Sequence, residues 1–381
     1  MRIRLKKQII NFKTIFSVVL FLSLNIISCR DNSSDDFVSP PKQITDGWPV
    51  SFLAKQGIDE IIIEDLHNKI ADNYYSNVHS VLIIRNGYLV FEEYYNGYDI
   101  DDLHRLYSIT KSVSSGLIGI AIEKNIIGNA LDSIPEYLSE YVNIDWSNQK
   151  DEITIADLLT MRSGIDWEEL AIPYPDPQNS HRQMTSSNDW LQFVLQRPMA
   201  YPPGEYFEYN TGTSNLLAKI IANSSGIEAD SFAVAFLLSK LDISDFSWFR
   251  DPQGNPCTGG TAGGLHLKPR DLAKIGYVYL NSGIWNDTQV IPPDWISEST
   301  TKHVAFAGNQ GYGYQWWHRQ YNISGSAIET VYALGYGGQY MFVIEQLDMI
   351  VVYLSGNYER SFAYSQALEI MNNYILPAAI G

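Results

Sequence analysis

The sequence predicts an α+β fold in which one sheet is assembled from both ends of the folded chain and a helical lobe is inserted between them. Two β-rich runs occupy residues 80–95, and two more occupy residues 340–355. The stretch from Ser112 to about Lys302 shows mostly helical patterns broken by loops rich in glycine and proline. Strands at both ends and helices between them indicate two lobes. A cleft between two such lobes is a common place for a functional site.

The predicted elements have local signals. In SVLIIRNGYLVFEEYY, residues 80–95, the Asn86-Gly87 dipeptide predicts a hairpin, because both central residues of a type I′ turn need positive φ. In YMFVIEQLDMIVVYLS, residues 340–355, two strands flank Gln346-Leu347-Asp348. The run VSSGLIGIAIEKNII, residues 113–127, predicts a helix that is apolar around most of its circumference and therefore buried. The segment SQALEIMNNYIL predicts a helix that closes the chain.

Composition and charge argue against several classes of function. The chain has 381 residues, of which 45% are hydrophobic, and a formal net charge of −17. Nucleic-acid binding needs clustered lysine and arginine, so no nucleic-acid partner is predicted for this acidic chain. The seven histidines form no HExxH motif, which argues against a zinc hydrolase. Cys257 has no obvious basic neighbour in NPCTGG, and its thiol is predicted to be structural.

The first 28 residues are predicted to be a signal peptide. A basic stretch precedes the apolar residues 15–27, which are few for a membrane-spanning helix. The segment ends in Ile-Ile-Ser-Cys29, which resembles a bacterial lipobox. Cys29 is therefore predicted to carry a lipid that attaches the protein to a membrane of the bacterial cell envelope, on the periplasmic side or the outer surface. The alternatives are an uncleaved anchor helix and plain secretion.

The remaining chain divides into a tether and one folded domain. Residues 29–45 are mostly polar and contain prolines, which is typical of a tether. The folded domain is predicted to cover residues 46–381. Its sheet lobe is expected from about 46–105 and 305–381, and its helical lobe from about 106–304.

The motif Ser-x-x-Lys carries chemistry only in a suitable context. Its four copies are Ser39-Lys42, Ser108-Lys111, Ser147-Lys150 and Ser299-Lys302. Two prolines follow Ser39, so no helix aligns that pair. The Ser147 copy lies in a charged stretch, where Lys150 is expected to be hydrated, and the Ser299 copy lies at the polar end of its segment.

Ser108 and Lys111 stand at the start of the predicted buried helix. Residues three apart share one helix face, so the hydroxyl and the amine are predicted to meet at the helix N-terminus, where the helix dipole favours a developing alkoxide. Burial disfavours a charged lysine and lowers its pKa, which makes the amine a usable base for a serine nucleophile. The alternative is that Ser108 caps the helix and Lys111 extends into solvent.

Two further segments are candidates for the same site. Tyr209 lies in a short polar loop before a helix that Thr213 or Ser214 is predicted to cap. The segment GYGGQY, residues 335–340, places three glycines just before a strand, which allows close approach of another group. A tight turn would also explain these glycines.

Three motifs, taken in order, resemble those of the serine β-lactamase-like and penicillin-binding superfamily. They are Ser108-Ile-Thr-Lys111, Tyr209-Asn210-Thr211 and Gly335-Tyr336-Gly337-Gly338. The segments LLTMRSGIDW, residues 158–167, and GYGYQWW, residues 311–317, look like further landmarks. The resemblance points to the class C β-lactamase and esterase branch, which includes the 6-aminohexanoate-dimer hydrolase-like amidases. It spans about residues 75–375.

The resemblance implies a β-lactamase/transpeptidase-like fold, with an antiparallel sheet flanked by helices plus an all-helical subdomain. It also implies a serine hydrolase that forms an acyl-enzyme on Ser108, with Lys111 and Tyr209 sharing the proton and with no metal or other cofactor. The backbone N–H groups of Ser108 and Gly338 are expected to hold the oxyanion. Further substrate contacts are expected from Gly337, Tyr336 and Asn210.

Two departures from the family pattern favour a small ester or amide as the substrate. Gly335-Tyr336-Gly337 replaces the Lys-Thr-Gly of β-lactamases, which removes a cation, and Thr211 replaces the asparagine of Tyr-x-Asn. One alternative is a β-lactamase or D,D-peptidase, in which another cation would replace the missing lysine. A second alternative is a non-catalytic ligand-binding lipoprotein of the same fold. The candidate cations are Arg162, Arg270 and Lys268, and the candidate aromatic pocket residues, which could equally be packing residues, are Trp167, Trp316, Trp317 and Tyr336.

Overall fold

The structure is a computed structural model that describes residues 39–259 and 263–381. The predicted signal peptide, Cys29 and the first part of the tether lie outside the described residues, and these assignments stay predictions. Within the described ranges, none of the helices combines the length and the apolar character that a membrane crossing needs.

Helices and strands are interleaved along the described part of the chain. The helices are α1 (Glu60–Ala71), α2 (Ile109–Glu123), α3 (Ile155–Leu159), α4 (Ser180–Thr185), α5 (Trp190–Gln196), α6 (Thr211–Ser225), α7 (Ala229–Phe236), α8 (Pro269–Leu280), α9 (Pro293–Ser299), α10 (Ala363–Ile370) and α11 (Leu376–Ile380). The strands are β1 (Val78–Arg85), β2 (Tyr88–Tyr94), β3 (His104–Arg105), β4 (Ser247–Trp248), β5 (Leu265–Leu267), β6 (Ile284–Trp285), β7 (Thr288–Gln289), β8 (Val304–Phe306), β9 (Gln310–Tyr312), β10 (Trp317–Ile323), β11 (Ser326–Gly335), β12 (Gln339–Ile344) and β13 (Met349–Ser355).

One large sheet joins the two ends of the described chain. It has eight strands in the order β2-β1-β13-β12-β11-β10-β9-β8, and its pairings are antiparallel. The central pair β1 and β13 brings residues 78–85 against residues 349–355. The prediction of an α+β fold with an antiparallel sheet is confirmed.

Both faces of the sheet are covered, which explains the continuous apolar runs in its central strands. Leu82 and Ile84 of β1 point to one face and join the core that includes α2 and α8. Val81 and Ile83 point to the other face and pack in the core that includes α1 and α10. Side chains alternate between faces along a strand, so a strand buried on both faces loses the usual alternation of apolar and polar residues.

The turn and helix signals near the ends of the chain act as predicted. Asn86 has φ 52° and Gly87 has φ 77°, so both central residues of the hairpin adopt the left-handed region that a type I′ turn requires. The closing helix runs through α10, a wider π-helical turn over Met371–Ile375, and α11. Together with α1 it covers the second face of the sheet.

The region between the two halves of the sheet is mostly helical, with two differences from the sequence analysis. Helix α8, whose residues were assigned to the helical lobe, packs against β12 and β13. Short strands also occur there, in the small sheet β3-β5-β4 and in the pair β6 and β7. Most of these strands have only two residues, too few to show a periodic pattern in the sequence.

Helix α6 begins earlier than the sequence predicted. Asn210 is its N-cap, and its side-chain oxygen accepts a hydrogen bond from the Thr213 N–H at 2.9 Å. The prediction that Thr213 or Ser214 caps this helix is therefore wrong. Gly226, with φ 78°, ends the helix as predicted.

Candidate active site

Ser108 lies at the start of α2, and its side chain does not cap the helix. Lys111 Nζ instead donates a hydrogen bond to Ser108 Oγ at 2.8 Å. Tyr107, the preceding residue, has φ 49°, an uncommon conformation for a bulky residue that is often found at functional sites. The serine of the predicted pair therefore faces the lysine, and the alternative of a capping serine is excluded.

Lys111 is one of the most completely buried charged side chains in the described chain, with 1% of its surface exposed. Burial disfavours the ammonium and lowers the pKa of Lys111 to about 8, although the Glu169 carboxylate opposes this effect. The alternative of a lysine that extends into solvent is therefore wrong. An amine with a pKa near 8 exchanges protons readily close to neutral pH, which suits a general base.

Tyr209 lies beside the pair, in the segment that leads into α6. Lys111 Nζ is 5.2 Å from the centre of its ring, and Trp317 stacks on the ring with centroids 5.9 Å apart. Ser108 is close enough to act to lower the pKa of the Tyr209 hydroxyl, but burial raises this pKa well above its ordinary value. Tyr209 is therefore a neutral phenol that can receive a proton only as it passes one on.

A cavity of about 310 Å³ opens at Ser108. Its walls are mainly aromatic and are formed by Tyr107, Tyr174, Tyr336 and Tyr358. A second cavity of about 420 Å³ adjoins it and shares Tyr174, Pro175, Tyr336 and Glu359. Of the aromatic residues that the sequence suggested, only Tyr336 lines these cavities. Two of the tryptophans that the sequence suggested pack in the hydrophobic core instead: Trp316 is fully buried there, and Trp167 is almost fully buried.

The glycine-rich segment forms a turn between β11 and β12. The Gly338 N–H donates to the Gly335 carbonyl at 3.3 Å, and a Cβ at Gly338 would lie 2.5 Å from the Ala363 carbonyl oxygen. Gly338 is not among the described residues that line the two cavities, and its N–H already has a partner within the turn, which argues against the predicted oxyanion role of that N–H. Tyr336 lines both cavities, and Gly337 lines the second.

Asn210 caps the N-terminus of α6. Its side-chain oxygen accepts the capping hydrogen bond, and its buried Nδ2 has no partner in the described part of the chain. The next residue, Thr211, lines the cavity that holds Ser108. Thr211, and not Asn210, is therefore the residue of this segment on the wall of the cavity at Ser108.

Glu169 is a buried acid that sequence reasoning missed. It lies two residues beyond Trp167, the last residue of the segment 158–167 that resembles the family, and nothing in the local sequence distinguishes it from Glu168. Its carboxylate accepts hydrogen bonds from Trp167, Tyr174 and Thr211. These contacts join the wall of the cavity to the start of α6.

The described residues offer no cluster of three or more histidine, cysteine or acidic side chains arranged to hold a metal ion. Cys257 is buried close to the site, and burial raises the pKa of its thiol above the ordinary value. A protonated, buried thiol is not a nucleophile, in agreement with the structural role that the sequence predicted.

Comparison with known proteins decides the family. Residues 74–367 match the family described as beta-lactamase. The chain belongs to this family. As a member of the beta-lactamase family, it is a serine hydrolase.

Relatives of this beta-lactamase-family chain carry several different names. The 6-aminohexanoate-dimer hydrolase of Paenarthrobacter ureafaciens is 25% identical over 296 residues, which cover 72% of this chain and 71% of the relative. The structure of EstCE1, a hydrolase with promiscuous acyltransferase activity, aligns with a TM-score of 0.67 and 15% identity, covering 85% of this chain and 98% of that one. The penicillin binding protein from Bacillus halodurans aligns with a TM-score of 0.62 and 18% identity, covering 80% and 99%.

Gly259 offers a test of the geometry of this beta-lactamase-family site. A Cβ at this position would lie 2.5 Å from Lys111 Nζ and 3.1 Å from Ser108 Oγ. We expect Gly259→Ala to push the amine and the hydroxyl apart and to lower kcat/KM for a p-nitrophenyl ester about 100-fold, as ångström-scale misplacement can do. Thermal unfolding measured in parallel should change little. A folded variant with activity within about threefold of the original would contradict this geometry.

Proposed function

We propose that this protein hydrolyses a small ester or amide through an acyl-enzyme formed on Ser108. The proposal is carried by one observation: a nearly fully buried lysine amine lies 2.8 Å from a hydroxyl that opens into an aromatic cavity. A serine hydroxyl is a weak nucleophile unless an adjacent base accepts its proton. Lys111 supplies that base without a metal ion.

In the first step, neutral Lys111 accepts the Ser108 proton while Ser108 Oγ attacks the carbonyl carbon of the substrate. Tyr209, protonated and within reach of Ser108, is placed to relay a proton to the leaving alcohol or amine as the tetrahedral intermediate collapses. A water molecule then attacks the acyl carbonyl carbon, and the same groups transfer a proton from that water to Ser108 Oγ as the ester bond to Ser108 breaks. The Ser108 proton thus leaves with the alcohol or amine, a proton from water replaces it, and the site returns to its starting protonation.

The oxyanion of the intermediate needs N–H donors that are free of other partners. Within the described part of the chain, neither the Ser108 N–H nor the Tyr336 N–H donates a hydrogen bond to another protein group. Both residues line the same cavity. We therefore propose the Tyr336 N–H in place of that of Gly338. Loss of one such donor commonly costs about 3 to 4 kcal/mol of transition-state stabilisation.

The cations that the sequence suggested do not replace the lysine of a β-lactamase at this site; among the described residues, Arg182 is the cation that lines the cavity at Ser108. A Cβ at Gly335 would lie 2.3 Å from the Leu106 carbonyl oxygen, so a lysine cannot be accommodated there without movement of the backbone. Of the candidate replacement cations, Arg270 is paired with Asp46 and Glu92, and Lys268 with Asp101 and Asp245. Neither these two nor Arg162 is among the described residues that line the two cavities.

The test is mass analysis of the purified protein after incubation with three compounds of similar size: a p-nitrophenyl ester, the matching p-nitroanilide, and a chromogenic cephalosporin. We expect an acyl adduct from the ester or the anilide, and trypsin should place it on the peptide 106–111, because cleavage follows Arg105 and Lys111. An adduct formed only with the cephalosporin would support the β-lactamase alternative. No adduct with any compound, nor with a fluorophosphonate, would support a ligand-binding protein without chemistry.

A further inference from the structure

Glu169 is a charged group inside the protein, with 1% of its surface exposed. Trp167 Nε1 and the Thr211 N–H each donate to its Oε2 at 2.8 Å. The Tyr174 hydroxyl donates to Oε1 at 2.9 Å, and the Thr211 hydroxyl donates to Oε1 at 2.6 Å. A buried carboxylate is tolerated only when its oxygens are satisfied in this way. An indole and a peptide N–H can only donate, so Oε2 is held as an acceptor.

Several titratable groups face Lys111 from the elements around it. On its own helix α2 it meets Ser108; the other groups are Tyr209 before α6, His181 on α4, Cys257 in the loop before β5, and Glu169. Burial keeps the phenol and the thiol protonated and lowers the pKa of His181, so these three groups are neutral at pH 7. Glu169 accepts the Thr211 N–H two residues after Tyr209, and the centre of the Tyr209 ring lies 5.2 Å from Lys111 Nζ. Among the described residues, Glu169 is thus the carboxylate placed to raise the pKa of Lys111.

We propose that Glu169 is a positioning residue whose charge stabilises the Lys111 ammonium formed when Ser108 attacks, while its hydrogen bonds fix the Tyr174 wall of the cavity. This inference rests on the proposed function. When the Ser108 O–H bond breaks and the O–C bond forms, the proton moves to Lys111 Nζ and the carbonyl electron pair moves to the oxyanion. A positive charge then appears in a buried site, where a fixed negative charge is worth more than in water.

The variant Glu169→Gln removes the charge and can keep the hydrogen bonds. The glutamine oxygen can take the place of Oε2 and accept from Trp167 and the Thr211 N–H, while its amide donates to the two hydroxyl oxygens, which can act as acceptors.

In wild type, the activity should rise with pH through the pKa of Lys111, about 8, because only the neutral amine is a base.

In Glu169→Gln, we expect this rise of kcat/KM to move to lower pH by about half a unit to one unit, because an anion that favoured the ammonium has been lost. The plateau at high pH should fall about threefold to tenfold, since a weaker base makes a slower general-base catalyst. In two matched control variants, the midpoint of the rise of kcat/KM with pH should stay where it is in wild type. Tyr174→Phe removes one hydrogen bond and keeps the charge, and Glu168→Gln removes a neighbouring charge that contacts the Ala171 N–H instead.

Two outcomes would overturn the proposal. One is a folded Glu169→Gln variant whose midpoint stays where it is in wild type, which would leave Glu169 with a structural role only. If that variant does not fold, Glu169→Asp is measured instead, because it keeps the negative charge. Its kcat/KM should rise with pH at the same midpoint as in wild type. A midpoint displaced by about one pH unit or more would contradict the proposal. The wild-type adduct on Ser108 is measured first, because its absence would refute the proposed function rather than the role of Glu169.

Discussion

Replacement of Ser108 by alanine is expected to lower the hydrolysis of a p-nitrophenyl ester by about 10⁴-fold or more, to the rate of the buffer reaction. The acyl group then has no oxygen to which it can be attached, and Lys111 has no proton to accept. Steady-state kinetics and mass analysis of the peptide 106–111 are the two measurements. The fold should be unaffected, because the Ser108 side chain makes no capping hydrogen bond to α2.

The matched control for this variant is Ser147→Ala. Ser147 stands in another Ser-x-x-Lys copy, but Asp145 holds its backbone N–H in an exposed turn. It should keep full activity and a full adduct on the peptide 106–111. An active Ser108→Ala protein, or an adduct that remains after the substitution, would place the nucleophile elsewhere and refute the proposed function.

The sequence distinguished Ser108 from the other motif copies by its apolar surroundings, and the same argument failed for Lys150. That lysine lies in a charged stretch, yet it is buried and donates to the Leu195 and Arg197 carbonyl groups. The last carbonyl groups of a helix lack partners within the helix, so a cation from a distant segment can satisfy them. Such a contact depends on how α5 packs, and the local sequence around Lys150 holds no sign of it.

The glycine-rich segment shows a second limit of the sequence. Its place beside the nucleophile could be predicted, but which N–H group faces the cavity depends on the hydrogen bonds inside the turn. The Gly338 N–H donates to the Gly335 carbonyl, whereas the Tyr336 N–H donates to no other group in the described part of the chain. Glu169 was missed for a related reason: its donors include Thr211, 42 residues away along the chain, and only the folded structure separates it from its half-buried neighbour Glu168.

Replacement of Lys111 by methionine is expected to lower kcat/KM for the same ester about 10³-fold and to remove the rise of activity near pH 8. Methionine has a similar length and no basic nitrogen, so Ser108 would keep its place and lose its base. The measurement is the pH dependence of kcat/KM between pH 6 and about 10.

The same variant should be at least as stable as the wild type at pH 7. The pKa of Lys111 is about 8 in the folded protein against 10.5 for an ordinary lysine, so the unfolded chain binds this proton more tightly. The wild type therefore gains stability as the pH rises from about 8 to 10.5, and the methionine variant should lack this gain because it has no proton to lose.

Lys150→Met is the matched control for Lys111→Met, because it removes another buried lysine of a Ser-x-x-Lys motif. It should lose stability, since the carbonyl groups of Leu195 and Arg197 lose their donor, and it should keep the activity profile near pH 8. We therefore expect Lys111→Met to lose activity and keep its stability, and Lys150→Met to lose stability and keep its activity. This pattern is expected if Lys111 is a base whose burial lowers the stability of the folded protein. A Lys111→Met protein that keeps the pH profile would show that another group takes the Ser108 proton.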